Sequence, residues 1–164
     1  MQEKTTRTDL ADLGEFGLIK HLTSGIKHSN SSTVIGIGDD GAVLDYEGRE
    51  MVVSTDMLVE GVHFDMAFSP LKHLGYKSIV VNISDIYAMN AQPRQVTVSL
   101  AISSKYSVEA IEELYSGMVL ACEIYGVDII GGDTTTSNAG LIISITAIGE
   151  VVKGKAVQRS GAKE

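Results

Sequence analysis

The chain has 164 residues, 44% hydrophobic and 21% charged, a composition that suits one globular domain with a real core and excludes whole-chain disorder. Lys and Arg number 13 against 21 Asp and Glu, a net charge of −8, which makes a nucleic-acid backbone a poor partner and cations good ones. One cysteine, Cys122, permits no internal disulfide; the opening residues hold no signal-peptide core, and no apolar run nears the ~20 residues a membrane helix needs. A soluble, cytoplasmic domain with no membrane partner is the expectation.

In chain order, Leu13, Phe16, Ile19 and Leu22 predict a first helix, closed by Ser24-Gly25 and Ser29 to Ser32. Thr33 to Gly38 is a short β-branched strand, Asp45 to Arg49 a turn, and Met51 to Thr55 the returning strand. Pro70 opens a second helix with Leu71, Leu74, Ile79, Ile83 and Ile86 on one stripe. Val96, Val98, Leu100 and Ile102 alternate with Thr97, Ser99 and Ala101, the pattern of a strand with one face on a core. A third helix is predicted from Val108, Ile111, Tyr115, Met118, Cys122 and Tyr125, with Glu109, Glu112 and Glu113 outside. Strands over Val127–Ile130 and Leu141–Glu150 complete the list.

Alternating strands favour a sheet with helices on one face, so the fold class is α+β with a mixed or antiparallel sheet. On the last strand the second face carries Ser144, Thr146 and Ile148, small and semi-apolar. Either water or another sheet in a dimer suits such a face.

Two motif matches fail on physical grounds. Gly36 to Gly41 fits G-x-G-x-x-G, but Asp39 and Asp40 would repel a pyrophosphate, and Ala42-Val43-Leu44 leaves no room for the helix that must follow. Gly149 to Lys155 fits the P-loop spacing, yet Ala156 stands where a hydroxyl must reach Mg²⁺. Lys155 then reads as a solvated edge lysine.

The informative pattern is the placement of aspartates. Asp39 and Asp40 end one strand, Asp56 ends another, and Asp133 follows Gly131-Gly132. Asp85 sits inside an apolar helix with Asn82 one turn away on the same side. Asp at a strand end is often only a turn former, but acids this short of Lys and Arg neighbours call for a cation. Hard Mg²⁺, bound by oxygen with positions left for substrate phosphates, fits that demand. Thr55 offers a neutral oxygen beside Asp56, and Gly131-Gly132 lets a nucleotide approach the backbone. Taken alone, His63 is a loop histidine, while Tyr115 and Cys122 lie on a core stripe.

Together these segments resemble the thiamine-monophosphate kinase family, in the superfamily of aminoimidazole ribonucleotide synthetase and selenophosphate synthetase. The resemblance is carried by Leu13 to Ile19, Gly38-Asp39-Asp40, Ser54 to Phe64 (STDMLVEGVHF), Leu74 to Lys77, Val81 to Ile86, Tyr125-Gly126-Val127 and Gly131 to Thr134, in the family's order. It implies Mg²⁺-assisted transfer of a phosphoryl group from ATP to thiamine monophosphate, giving thiamine diphosphate in the last step of its biosynthesis. It also implies Asp40, Thr55, Asp56, Asp85 and Asp133 as ligands of several Mg²⁺ ions. Gly132, Asp133, Tyr115 and Arg159 would contact the nucleotide and His63 the substrate, with Asp39 less certain than Asp40. No general base is needed, because the attacking phosphate oxygen is already anionic. The resemblance further implies N-terminal domains paired as a homodimer into a β-barrel. The family continues into a second domain, so residues 1–164 are expected to be the N-terminal ATP/Mg-binding and dimerisation domain, with little or no turnover alone. The rival expectations are another ATP-using enzyme of the superfamily and a non-catalytic dimerisation module.

Overall fold

The computed structural model describes Gly17, residues 33–35, 39 and 41–162. The chain divides between Ser31 and Ser32, and the architecture below is that of the second unit. The expected first helix lies outside the described residues except for Gly17, which is helical, and Asp40 also lies outside them.

The elements run β1 (Thr33–Ile35), β2 (Ala42–Tyr46), β3 (Arg49–Val59), α1 (Leu71–Ala88), β4 (Gln92–Ile102), α2 (Val108–Tyr125), β5 (Asp128–Thr136) and β6 (Ile142–Val152), with a 3-10 turn at Arg159–Gly161. They form one mixed sheet in the order β1-β2-β3-β6-β4-β5. Every neighbouring pair is antiparallel except β4 and β5, which are joined through α2, the helical crossover that parallel strands require. No helix among the described residues is long and apolar enough to cross a membrane.

Period-two alternation decides which sheet face is covered. On β6, Ile143, Ile145, Ala147 and Val151 are buried, while Ile142, Ser144, Thr146 and Ile148 on the other face are half-exposed. Val96, Val98 and Leu100 of β4 and Val52 and Leu58 of β3 join the buried set. Against them α1 lays Leu74, Ile79, Ile83 and Ile86, each of the four isoleucine or leucine side chains contributing roughly 1.5–3 kcal/mol by leaving water. Pro70 stands just outside α1, as its missing N–H suits, and the helix begins at Leu71.

The apolar stripe of α2 differs from the sequence expectation. Leu114, Gly117, Met118, Ala121 and Cys122 are buried, whereas Val108 is exposed and Ile111, Tyr115 and Tyr125 are half-buried. The helix is rotated because α2 packs along α1 through two glycines. A Cβ on Gly75 would fall 1.9 Å from the Leu114 carbonyl oxygen, and one on Gly117 would fall 1.8 Å from that of Lys72. Backbone meets backbone there, which no side-chain periodicity announces. Cys122 is core, as expected, and burial, with the charge of Asp128, pushes its thiol up to about 11.

Strand limits also differ. Asp56 lies inside β3 rather than at its end, because β3 pairs with β6 without interruption from Arg49 to Val59. Asp133 lies inside β5, which β4 carries in parallel register as far as Thr136.

Candidate active site

The site grows from the edge of β3 that β2 leaves free. β2 pairs with β3 only as far as Val53, so the next backbone groups on that side need other partners. α1 supplies one: the Asp56 N–H donates to Asn82 Oδ1 at 3.0 Å, and Asn82 is fixed in turn by donating from Nδ2 to the Ser78 carbonyl at 2.8 Å. One helical turn on, Ser54 Oγ donates to Asp85 Oδ2 at 3.0 Å. Alternation puts Ser54 and Asp56 on the helix face of β3, so Ser54, Asp56, Asn82 and Asp85 converge.

This cluster is electrostatically incomplete. Burial raises the Asp85 carboxyl above the ordinary Asp value; the Ser54 hydrogen bond opposes the rise and the charge of Asp56 adds to it. The ion pairs among the described residues join Arg49 and Arg94 to Glu150, Lys105 to Glu60, Lys153 to Asp45 and Arg159 to Asp39. None of them reaches Asp56 or Asp85. A donor set of carboxylates, a hydroxyl and an amide oxygen suits Mg²⁺. No group of three or more His, Cys, Asp or Glu among the described residues is placed to hold a metal, so the two acids form a nucleus that needs further oxygens.

The other expected residues within the described part of the chain lie elsewhere on the sheet and its connecting loops. Thr55 lies on the opposite sheet face, its Oγ1 donating to the Ile145 carbonyl at 3.0 Å with the Thr146 hydroxyl also at 3.0 Å. Asp133 occupies the register row Met57, Ser144, Ser99, Asp133, three strand spacings or ~14 Å across the sheet from β3. Asp39 faces Arg159, whose backbone N–H donates to Asp39 Oδ2 at 3.2 Å and whose Nε lies 3.9 Å from Oδ1. His63 stands exposed in the turn after β3, about 13 Å further along from Asp56 at strand rise to Glu60. Its Nδ1 accepts from the Val59 N–H at 3.1 Å, which leaves the proton of the neutral ring on Nε2.

Tyr115 joins the glycine edge. It lines a cleft of about 320 Å³ with Val98, Gly131, Gly132, Asp133 and Thr134. It also lines an apolar groove of about 370 Å³ formed by Ile102, Tyr106, Val108 and Ile111. A polar glycine edge and an apolar seat therefore share one aromatic ring. A larger cavity of about 640 Å³, lined by Arg49, Tyr87, Asn90, Glu150 and Lys155, holds none of the expected site residues.

Ser54 and Glu60 are the site-side residues that the motif reading passed over. Ser54 was open to detection, since period two puts residue 54, not 55, on the face of Asp56. Glu60 was not, because its partners lie 45 to 81 positions away.

The mixed six-stranded sheet with two helices over one face is the fold of a known domain class: residues 38–151 match AIR synthase related protein, N-terminal domain, and the chain belongs to that family. Within it, the chain is 42% identical over 152 residues to thiamine-monophosphate kinase of Bacillus subtilis (strain 168), covering 92% of this chain and 46% of that protein. Against the thiamine-monophosphate kinase of Aquifex aeolicus (strain VF5) it is 37% identical over 154 residues, 94% of this chain and 47% of the other. A solved structure described as AaThiL complexed with AMPPCP and TMP superposes with a TM-score of 0.84 at 33% identity, over 97% of this chain and 48% of that one. The chain spans about half the length of the curated relatives it matches.

Proposed function

We propose that this chain is the N-terminal, ATP- and Mg²⁺-binding half of a cytoplasmic thiamine-monophosphate kinase, which transfers the γ-phosphoryl group of ATP to thiamine monophosphate. The observation that carries the reading is the Asp56–Asp85 pair, held by Ser54 and Asn82 with no cationic side chain among its described partners. The similarity to named kinases across the whole described fold supports the same reading.

The transfer joins two anions, so charge neutralisation and alignment matter more than a base. Bound Mg²⁺ would supply that neutralisation. Asp56 and Asp85 would hold one ion, with Asp40 as a further oxygen donor, while Thr55 and Asp133, on the opposite sheet face, would serve other ions. Gly131 and Gly132 let phosphates approach the β5 backbone, while Tyr115 and the groove beside it give the base an apolar seat. Asp133 and Arg159 complete the nucleotide contacts, and His63 faces the acceptor through its Nε2–H. The half-apolar second sheet face, including Met57 and Ile148, fits pairing of two copies into a β-barrel.

Chromatographic detection of thiamine diphosphate from ATP and thiamine monophosphate, in the longest form of the protein, tests this reading. Formation that requires Mg²⁺ and is lost in Asp85→Asn supports it. Turnover that survives in Asp85→Asn refutes the metal assignment.

A further inference from the structure

The turn that presents His63 is built by short backbone bonds. The Gly61 N–H donates to the Phe64 carbonyl at 2.8 Å, and the Val62 and His63 N–H groups both donate to the Val59 carbonyl at 3.1 and 2.9 Å. The Val59 N–H closes the turn by donating to His63 Nδ1. The residue that leads from β3 into this turn is Glu60.

Glu60 is tied on three sides. Its N–H donates to the Leu141 carbonyl at 3.0 Å, and the Leu141 N–H donates back to Glu60 Oε2 at 2.8 Å. Tyr106 OH donates to the same oxygen at 2.8 Å, and Lys105 Nζ pairs with Oε1 while lying 5.1 Å from the centre of the Tyr106 ring. Burial works to raise this carboxyl, but the bonds from Lys105, Tyr106 and the Leu141 N–H outweigh it and hold it below the ordinary Glu value. Gly140 leaves the space required: a Cβ there would fall 2.6 Å from Glu60 Oε2, at a φ of +106°. Tyr106 is also a wall of the apolar groove that Tyr115 shares with the glycine edge.

We propose that Glu60 is a positioning residue for the acceptor side of the site: its carboxylate clamps the β4–α2 loop and the start of β6 to the end of β3, and so fixes the turn and ring tautomer of His63. The inference rests on reading His63 as the acceptor-facing residue. Glu60 touches neither substrate; it acts through the turn. Because Tyr106 belongs to the same clamp, the wall of the nucleotide groove and the His63 turn are held by one carboxylate.

The test is long-range proton–nitrogen NMR of the histidine rings, with amide exchange, on the whole chain well above the ordinary imidazole range. In the wild type, His63 shows a bare Nδ1 and a protonated Nε2. Glu60→Ala brings the two nitrogen shifts toward each other and speeds exchange at Gly61 and His63 by about ten-fold or more. Gly140→Ala, which intrudes on the same carboxylate from the other side, moves the same resonances. Tyr106→Phe, which removes one bond and no charge, moves them less, and with Gly140→Ala it decides the matter if Glu60→Ala does not fold. Unchanged His63 nitrogens and exchange in folded Glu60→Ala, with only the Lys105–Tyr106 segment loosened, would overturn the proposal. A ligand titration separates the two readings. Thiamine monophosphate affinity falls about ten-fold in Glu60→Ala, and Mg–ATP affinity falls less, since Tyr106 is one wall of its groove among several. Should His63→Ala bind thiamine monophosphate as the wild type does, the role given to His63 fails, and the NMR result still decides Glu60.

Discussion

Gly131 and Gly132 make a matched pair of perturbations on the edge that the nucleotide is proposed to cover. Both have positive φ, +154° and +151°, in a region that side-chain-bearing residues rarely enter. A Cβ on Gly131 meets nothing within 4 Å, whereas a Cβ on Gly132 would lie 1.7 Å from the Val98 carbonyl oxygen and 2.9 Å from its nitrogen. Gly131→Ala therefore carries the backbone strain alone, about 1–3 kcal/mol. Gly132→Ala adds overpacking against a β4 backbone that β6 holds from the other side, a further ~1–3 kcal/mol. At ~2–4 °C per kcal/mol for a chain of this size, Gly131→Ala should lower Tm by about 6 °C and Gly132→Ala by about 12 °C. β5 is an edge strand, so part of the second cost is relieved by peeling, visible as lost amide protection over β5 only in Gly132→Ala. Calorimetry with hydrogen exchange checks both. Equal destabilisation by the two variants, with equal protection of β5, would refute the argument that Gly132 is required by contact with β4.

Other expectations follow from the same geometry. Gly117→Ala should cost at least ~3 kcal/mol in a denaturant titration, because its Cβ would overlap the Lys72 carbonyl where the two helices touch. Without divalent cation, the raised Asp85 carboxyl means the native state holds a proton that the unfolded state has released. Stability should then fall as pH rises from the ordinary Asp range through the native Asp85 value, and urea titrations of Asp85→Asn should lose that slope. Tyr115→Ala should weaken Mg–ATP binding by calorimetric titration about ten-fold while leaving thiamine monophosphate affinity unchanged, since one ring borders both parts of the proposed nucleotide cleft.

Much of the architecture was legible in local pattern. The stripe on α1 and the alternation on β4 and β6 predict which residues are buried, and Asn82 and Asp85 emerge as one side of a helix that meets β3. What escaped was set by contacts distant in sequence. The burial face of α2 follows from glycines meeting carbonyls of another helix, not from its own apolar spacing. Asp56 continues its strand because Asn82, 26 residues away, satisfies its N–H at a free edge. The sequence pointed to Thr55 as the neutral oxygen beside Asp56, but Thr55 bonds into β6 on the far face, and Ser54 is the hydroxyl that meets Asp85. The Glu60 clamp joins three chain segments and carries no local signature at all.

The central claim is that Asp56 and Asp85 form the nucleus of a Mg-dependent nucleotide site. Thermal unfolding of the chain with ATP, with and without Mg²⁺, in the wild type and Asp85→Asn, tests it most directly. At a ligand concentration a hundred times Kd, binding to the native state adds about 2.7 kcal/mol, or roughly 5–11 °C in Tm. A rise of that order is expected only when ATP and Mg²⁺ are both present, and none in Asp85→Asn. An equal rise in Asp85→Asn, or a rise indifferent to Mg²⁺, would contradict it.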